Sequence, residues 1–492
     1  MLETSEIKRL IDNDITSEKK RLAAVGVRYY EADHDIRDYR LFYFNKDNEL
    51  VEDTFRSNIK ISHPFFTELA DQLVAYILSD TDEIIKTDAE GLQEHLNQYF
   101  DEEFWAEMSE LLTGAYTKGF DYVYAYQKKD GDRLAFEYAD SMGVIEVRAN
   151  DTDDGCEYII YWYIDRIEKG KKEIKRIQVH SESETTFYVQ SGTNGKITLD
   201  DDKVNNPMPN VVFEKDGKKY GGSLGFVPYF RLDYNRKQFS GLKPIKGLID
   251  DYDLHACSLS NNLKDFDTPI HVVKGFRGSN LDELQMNLKT KKVVGTDADG
   301  GIEVQTVNIP YQARKEKLEI DEKSIYKFGM GTNTQALKDT SATTNLAIQT
   351  AYSLLDLKAG KFITRIKAFL KQLLNPVIDE INRKNKTGYT VDDVYFNFNP
   401  KTLVNESEDI ANEKIKAETK QIEINTLLSI AVYIGDDELL KALCDTLEFD
   451  YAEIKAAVEK AKAEEVPIDE AKGKLNGITT DPIDIEKEGV EL

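Results

Sequence analysis

The chain has 492 residues and a net charge of −26, with 64 Lys plus Arg against 90 Asp plus Glu. That balance excludes a protein that coats nucleic acid over its whole surface and leaves room only for local contacts. At about 150 residues per domain the length predicts two to four domains, and 40% hydrophobic with 10% aromatic residues suffices for packed cores.

Cys156, Cys257 and Cys444 are far apart and form no CxxC pair, which argues against a disulfide framework or a structural zinc and for a reducing compartment. No run approaches the ~18 apolar residues of a membrane span, and MLETSEIKRLIDNDI lacks the apolar centre of a secretion signal.

In chain order, Leu2, Ile7, Leu10, Ile11, Ile15 and Leu22 recur at near-helical spacing and predict one amphipathic helix over 2–22. Ser62 as N-cap and Pro64 in the first turn open a second, with Phe65, Phe66, Leu69, Leu73, Val74 and Ile77 on its apolar face. Phe104, Trp105, Met108, Leu111, Leu112 and Ala115 mark a third, ending near Gly119. From Phe120 to about residue 232 short Tyr, Val and Ile runs alternate with Asp130-Gly131, Asp154-Gly155, Asn194-Gly195 and Asp216-Gly217, so an antiparallel meander is expected. Asp151, Asp153 and Asp154 lack the spacing and closing Glu of a calcium loop and read as a hairpin turn.

A helix returns at 243–266, with Pro244 in its first turn, and Pro310 opens another that runs to about Phe328. Between them IHVVKGF and KKVVGT read as strands, LDELQMNL as a short helix, and Asp299-Gly300 as a turn into IEVQTV. GMGTNTQALKDTSATTN, 329–345, has no periodicity and reads as a mobile loop. The longest helical pattern follows, weakened at Gly360 and expected to kink at Pro376. VYFNFNP is a strand, and the last 92 residues are helical, with Ile422, Ile424, Leu427, Leu428, Ala431, Leu439, Leu440 and Leu443 on apolar faces before a polar tail. Residues 401–492 carry 11 Lys against 23 Asp plus Glu, whereas 341–390 carry eight Lys or Arg against three acids. The basic stretch fits a solvated helix face as well as a ligand-facing one.

No phosphate loop, GxGxxG, HExxH or GxSxG is present, so no catalytic residue, metal site or cofactor is assigned. The six histidines, His34, His63, His95, His180, His255 and His271, are scattered and read as surface, cap or core residues.

The order of elements resembles the portal, or head-to-tail connector, proteins of tailed double-stranded DNA bacteriophages, in the branch common in phages of Gram-positive hosts. YYEADHDI at 29–36 is similar to the family's Tyr-Tyr-x-Gly-x-His-x-Ile segment, with Ala32 at the Gly, and NIKISHPFFTELADQLVAYILS at 58–79 to its Phe-Phe helix, with Ala70 at a usual Val. LIDDYDLHACSLSNNLKDF with Lys274-Gly275, and FNFNPKTLVNESEDIANEK at 396–414, resemble the passages into the clip and the crown. The loop at 329–345 departs from the family's Ser-Gly-x-Ala-Leu form.

The resemblance implies an α+β, multi-domain portal fold: an α/β wing at 1–242 joined by strand 394–400, a two-helix stem at 243–265 and 310–328, a small α/β clip at 266–309, a tunnel loop at 329–345, a long kinked helix at 346–386 and an α-helical crown with C-terminal tail at 401–492. It implies a non-enzymatic dodecamer at one capsid vertex of the virion, assembled in the host cytoplasm. Its partners would be double-stranded DNA in the channel, the terminase large subunit, a neck or head-completion protein, and the major capsid and scaffolding proteins. Thr332, Asn333, Thr334, Lys338, Thr340 and Thr343 would touch DNA, and Lys274, Arg277, Lys289, Lys291 and Lys292 would form the clip docking surface. Two other readings remain at this point: another minor phage structural protein that forms no ring, and a carbohydrate-active enzyme using paired carboxylates on the β-rich half.

Overall fold

Two helices open the chain where one was expected. α1 (Thr4–Ile15) stops because the Thr16 hydroxyl turns back onto the carbonyls of Asp12 and Asn13, and α2 (Glu18–Tyr30) restarts because the Ser17 hydroxyl accepts from Lys20 N–H. This computed structural model describes residues 2–128, 133–148, 155–170, 172–192, 195–203, 205–215, 218–266, 270–276, 280–286, 288, 296–305, 310–333, 345–400, 406–433, 435–447, 449, 451 and 454–457. They divide into two units, the larger made of 1–342 with 346–402 and the smaller of 343–345 with 403–492.

In the larger unit α2 is followed by a hairpin, β1 (Phe42–Phe44) with β2 (Leu50–Glu52), and by α3 (Phe65–Ile77). Pro64, not Ser62, occupies the N-cap of α3, and the buried Ser62 hydroxyl has no hydrogen-bond partner among the described residues. β3 (Ile85–Thr87), α4 (Leu92–Tyr99) and α5 (Glu102–Lys118) come next. Asp101 caps α5 by accepting from Phe104 N–H, and Gly119 closes it at φ 97°, a left-handed position that favours glycine. α2 crosses α5 at backbone contact, since a Cβ on Gly26 would lie 1.9 Å from the Thr117 carbonyl oxygen.

The β-rich stretch is not one meander. β4 (Phe120–Lys128) lies between β5 (Arg133–Ala139) and β14 (Tyr229–Asp233), a partner a hundred residues away. The meander proper runs through β6 (Val144–Val147), β7 (Tyr158–Glu168), β8 (Lys172–His180), β9 (Glu184–Ser191) and β10 (Ile197–Leu199), with β11 (Met208–Pro209) also on β9; β12 (Val211–Lys215) and β13 (Lys218–Gly222) form a separate hairpin. Ile7 and Ile11 of α1 pack on Ile160, Ile177 and Tyr188 of the meander.

α6 (Lys246–Phe266) starts after Pro244, which sits in the preceding turn. β15 (Ile270–Phe276) then pairs antiparallel with β16 (Thr296–Gln305), with α7 (Leu281–Met286) between them in sequence and a bulge at Gly275. β16 includes Asp299-Gly300, where a turn was expected, but the register with β15 slips there: Lys274 pairs with Gly301 and Phe276 with Thr296, which leaves 297–300 unpaired opposite Gly275; 291–295 of the expected KKVVGT strand lie outside the described residues. α8 (Tyr311–Gly329) returns beside α6.

The long helix, Asn345–Asn385, has 41 residues and passes unbroken through Gly360 and Pro376. Leu355, Phe362, Ile366, Phe369, Leu370, Leu373 and Val377 on one face join Phe66, Leu69, Leu73 of α3 and Leu111, Leu112 of α5 in the main core. β17 (Val394–Phe396) pairs with β3. The outer edge of β3 is closed by one side chain: Gln93 accepts from Thr87 N–H at 3.1 Å and donates to the Ile85 carbonyl at 3.1 Å, as a neighbouring strand would.

The smaller unit has helix Glu406–Ile430, a short turn at Ala431–Tyr433 and helix Asp436–Leu447, with Cys444 buried and Ile422, Leu428 and Tyr433 exposed. Among the described residues no helix is long and apolar enough to cross a membrane.

Candidate functional site

Two clusters in the larger unit are built from segments far apart in sequence. In the first, Asp253 of α6 is fully buried and accepts from His34 Nδ1 at 2.6 Å, His63 Nδ1 at 2.7 Å and His63 backbone N–H at 3.0 Å. The His34 ring stacks on Tyr29, whose hydroxyl binds Asp250; Lys246 bridges Asp250 and Asp35. Burial acts to raise the Asp253 carboxyl, but the hydrogen bonds from His34 and His63 outweigh it and hold the group below the usual carboxylate range. YYEADHDI, NIKISHPFF and LIDDYDLH therefore meet at one carboxylate. His34 and His63 are positioning residues of this junction.

The second cluster is the root of the 329–345 segment. α8 ends with Met330 in the left-handed region at φ 53°, and Gly329 and Gly331 lie against Leu69 of α3, where a Cβ on either would come within 2.6 Å of a Leu69 methyl. Gln72 holds Thr332 on both sides, accepting from its N–H at 3.1 Å and donating to its carbonyl at 2.9 Å, while the Thr332 hydroxyl donates to Ala351 of the long helix at 3.3 Å. Asn333 donates to Glu322 at 2.8 Å. Thr332 is thus 3% exposed and acts as an anchor rather than as a surface group. Thr334, Lys338, Thr340 and Thr343 lie outside the described residues.

Lys358 of the long helix ties this root to the core. Its ammonium donates to the Gly329 carbonyl at 2.9 Å and to the Tyr116 hydroxyl of α5 at 2.8 Å, 4.4 Å from the centre of that ring. No carboxylate is among these partners, and burial pushes the amine down to about 7. It borders a cavity of about 320 Å³ shared with Tyr234, Phe239, Phe328 and Met330. Sequence reasoning missed Lys358, although its spacing from Leu355 and Phe362 places it on the apolar face of the helix.

Of the predicted clip cations, Lys274 is exposed and pairs with Glu303 across β15 and β16 at 3.0 Å; Arg277, Lys289, Lys291 and Lys292 lie outside the described residues. Among the described residues no group of His, Cys, Asp or Glu side chains could hold a metal ion.

The family described as phage portal protein, SPP1 Gp6-like, matches this sequence over residues 9–466. The chain belongs to that family. Among curated proteins it is 25% identical over 410 residues to the portal protein of Bacillus phage SPP1, covering 82% of this chain and 78% of that one. It is 24% identical over 400 residues to the portal protein of Clostridium phage phiCD119, covering 77% and 82% respectively. Both relatives come from phages of Gram-positive hosts, as the resemblance implied. The mixed helix and strand content agrees with the α+β portal fold, and phage portal proteins are structural components of the virion, at the capsid.

Proposed function

We propose that twelve copies of this chain close into a ring at one capsid vertex, through which double-stranded DNA passes inward during packaging and outward during ejection. The observation that carries this reading is the family match over residues 9–466, which spans every described element except the first turns of α1. In this reading the wing, stem, clip, tunnel loop, long helix and crown take the boundaries given above. The chain is a conduit with no catalytic chemistry of its own. A net charge of −26 repels phosphate and prevents the counterion-release binding that would hold DNA still.

The terminase large subunit supplies the motor and docks, as the neck protein later does, at the clip cations. Major capsid and scaffolding proteins meet the ring during assembly in the host cytoplasm. The tunnel loop touches DNA through Asn333, Thr334, Lys338, Thr340 and Thr343, while the buried Thr332 fastens its root. Lys338 is the only cation of 329–345 and Asp339 follows it, so the loop brushes phosphate without gripping it.

Negative-stain images of the purified protein are expected to show rings with a central hole, and light scattering no dominant monomer at micromolar concentration. A monomer that persists with scaffold protein or salt added would overturn the reading. Within intact rings, Lys291→Glu with Lys292→Glu is expected to reduce packaging or neck joining; normal yields of filled, tailed particles would remove those charges from the mechanism.

A further inference from the structure

Between β14 and α6 the sequence YNRKQFSGLKP, 234–244, forms a tight turn organised by its asparagine. Asn235 Oδ1 accepts from the N–H groups of Lys237 and Phe239, each at 3.1 Å, and its amide donates back to the Phe239 carbonyl at 2.5 Å. Gly241 brings the turn onto α5, since a Cβ there would lie 2.1 Å from the Tyr116 ring. The Tyr234 ring is held edge-on by Tyr116 at 5.0 Å and by Phe362 of the long helix at 5.1 Å between ring centres. This turn and the end of α8 together line the cavity of about 320 Å³ beside Lys358, so its walls are fixed by contacts within the chain.

In a chain of net charge −26, two lysines line this cavity, Lys358 and Lys243, and no Asp or Glu does. Lys243 is exposed, with its ammonium over the Phe239 ring at 3.2 Å from the centre, whereas Lys358 is 5% exposed. An ammonium has three N–H groups. Lys358 directs two of them to the Gly329 carbonyl and the Tyr116 hydroxyl, and the third has no hydrogen-bond acceptor among the described residues. A buried cation without a counter-charge is costly, and a carboxylate entering the cavity would remove that cost with a charge-assisted hydrogen bond.

We infer that the cavity binds a small aromatic carboxylate, with its ring among Tyr234, Phe239 and Phe328 and its carboxylate on the Lys358 ammonium. An apolar molecule would leave the ammonium unpaired, and an inorganic anion would leave the aromatic walls uncovered. The volume suits an acid of one or two rings, since a dry cavity of ~150 Å³ already holds benzene and small-molecule pockets begin at about 300 Å³. The site does not depend on the ring, but it reaches a working part of it. Gly329 and Met330 line the cavity and lead directly into Thr332, so an occupant that keeps Lys358 charged strengthens its bond to the Gly329 carbonyl and steadies the root of the tunnel loop.

The probe is 2-naphthoate, titrated calorimetrically into the full chain beside its neutral counterpart 2-naphthalenemethanol. The acid is expected to bind once per chain with Kd below about 1 mM, and the alcohol about tenfold more weakly or worse. Lys358→Met should weaken the acid by about tenfold or more and leave the alcohol unchanged. Lys243→Glu alters an exposed position, so it should keep the parental urea midpoint while weakening the acid several-fold; this arm holds even if Lys358→Met folds poorly. The other titratable groups lining the cavity are Lys243, Tyr116 and Tyr234; burial raises both phenols, Tyr234 to about 12, so they stay protonated. Because burial brings the Lys358 amine down to about 7, affinity for the acid should fall from pH 7 to pH 9 by up to ~tenfold per unit, in Lys243→Glu as in the parent. Bound naphthoate should also slow hydrogen exchange at 330–333. No saturable binding, equal affinity for acid and alcohol, or binding that neither variant weakens, as at an exposed apolar patch elsewhere, would overturn the site and leave the ring reading standing.

Discussion

Asp253→Ala is expected to destabilise the larger unit by about 3 kcal/mol or more, because three donors lose a buried acceptor and each such loss costs about 1–3 kcal/mol, not fully additively. The donors are His34 Nδ1 and both His63 groups, and His34 is as buried as the carboxylate, so water cannot replace the lost partner there. Asp253→Asn keeps the shape but turns an amide N–H₂ toward one of these donors, and is expected to cost less than the Ala variant but still lower the urea midpoint. The pH dependence has a definite sign. A carboxyl held below its unfolded value stabilises the fold above the ordinary carboxylate range and loses that contribution as pH falls through its folded value. The difference between parent and Asp253→Ala should therefore be constant at neutral pH and shrink below about pH 4. A variant that unfolds at the parental urea concentration would mean that the junction of α2, α3 and α6 does not depend on this residue.

The three segments that carried the resemblance to portal proteins turn out to share that carboxylate. A histidine in YYEADHDI, another in ISHPFF and an aspartate in LIDDYDLH are more than 190 positions apart at the extremes, so periodicity shows where each element lies and nothing of their meeting. The helices were legible because Leu69, Leu73 and Ile77, or Phe362, Ile366 and Leu373, repeat at helical spacing and are buried in the core. Strand pairing was not. The alternation in FDYVYAY marks a strand, but nothing local says that β14 closes on its outer edge a hundred residues later. The break at Thr16 and Ser17 was missed because the apolar spacing continues across it while hydroxyl capping interrupts the backbone. Asp299-Gly300 looked like a turn because that pair tolerates one; it lies instead in the irregular stretch of β16 where the register with β15 shifts, between the Phe276–Thr296 and Lys274–Gly301 pairs. Of the candidate site residues, Thr332 was placed in the right segment with the wrong environment, since a small polar side chain reads the same in a loop tip and in a buried anchor.

Lys358 leads to the second large effect, a stability that rises with pH through a range where most proteins change little. Its amine titrates near 7 in the fold and near 10.4 in an unfolded chain, so between those values the unfolded state binds the extra proton. Stability then increases with pH, by on the order of 4 kcal/mol from pH 7 to pH 10 at about 1.4 kcal/mol per unit. Below pH 7 both states are charged and the slope vanishes, leaving the fold with a buried cation whose partners among the described residues are the Gly329 carbonyl, the Tyr116 hydroxyl and its ring. Lys358→Met fills the same space without a charge and is expected to remove the slope. At pH 7 it relieves the desolvation cost but leaves the Gly329 carbonyl without this donor, so the two changes should offset to within about 2 kcal/mol. The comparison to make is the parent minus variant difference in chemical denaturation at pH 6, 8 and 10, which cancels the other titrating groups. Identical pH profiles would show that the amine stays charged or is reached by solvent. A second readout follows from its position: Gly329 is the last residue of α8 and Thr332 is fastened to the same helix as Lys358, so losing the lysine should speed backbone hydrogen exchange at 330–333 before it affects α5 or α3.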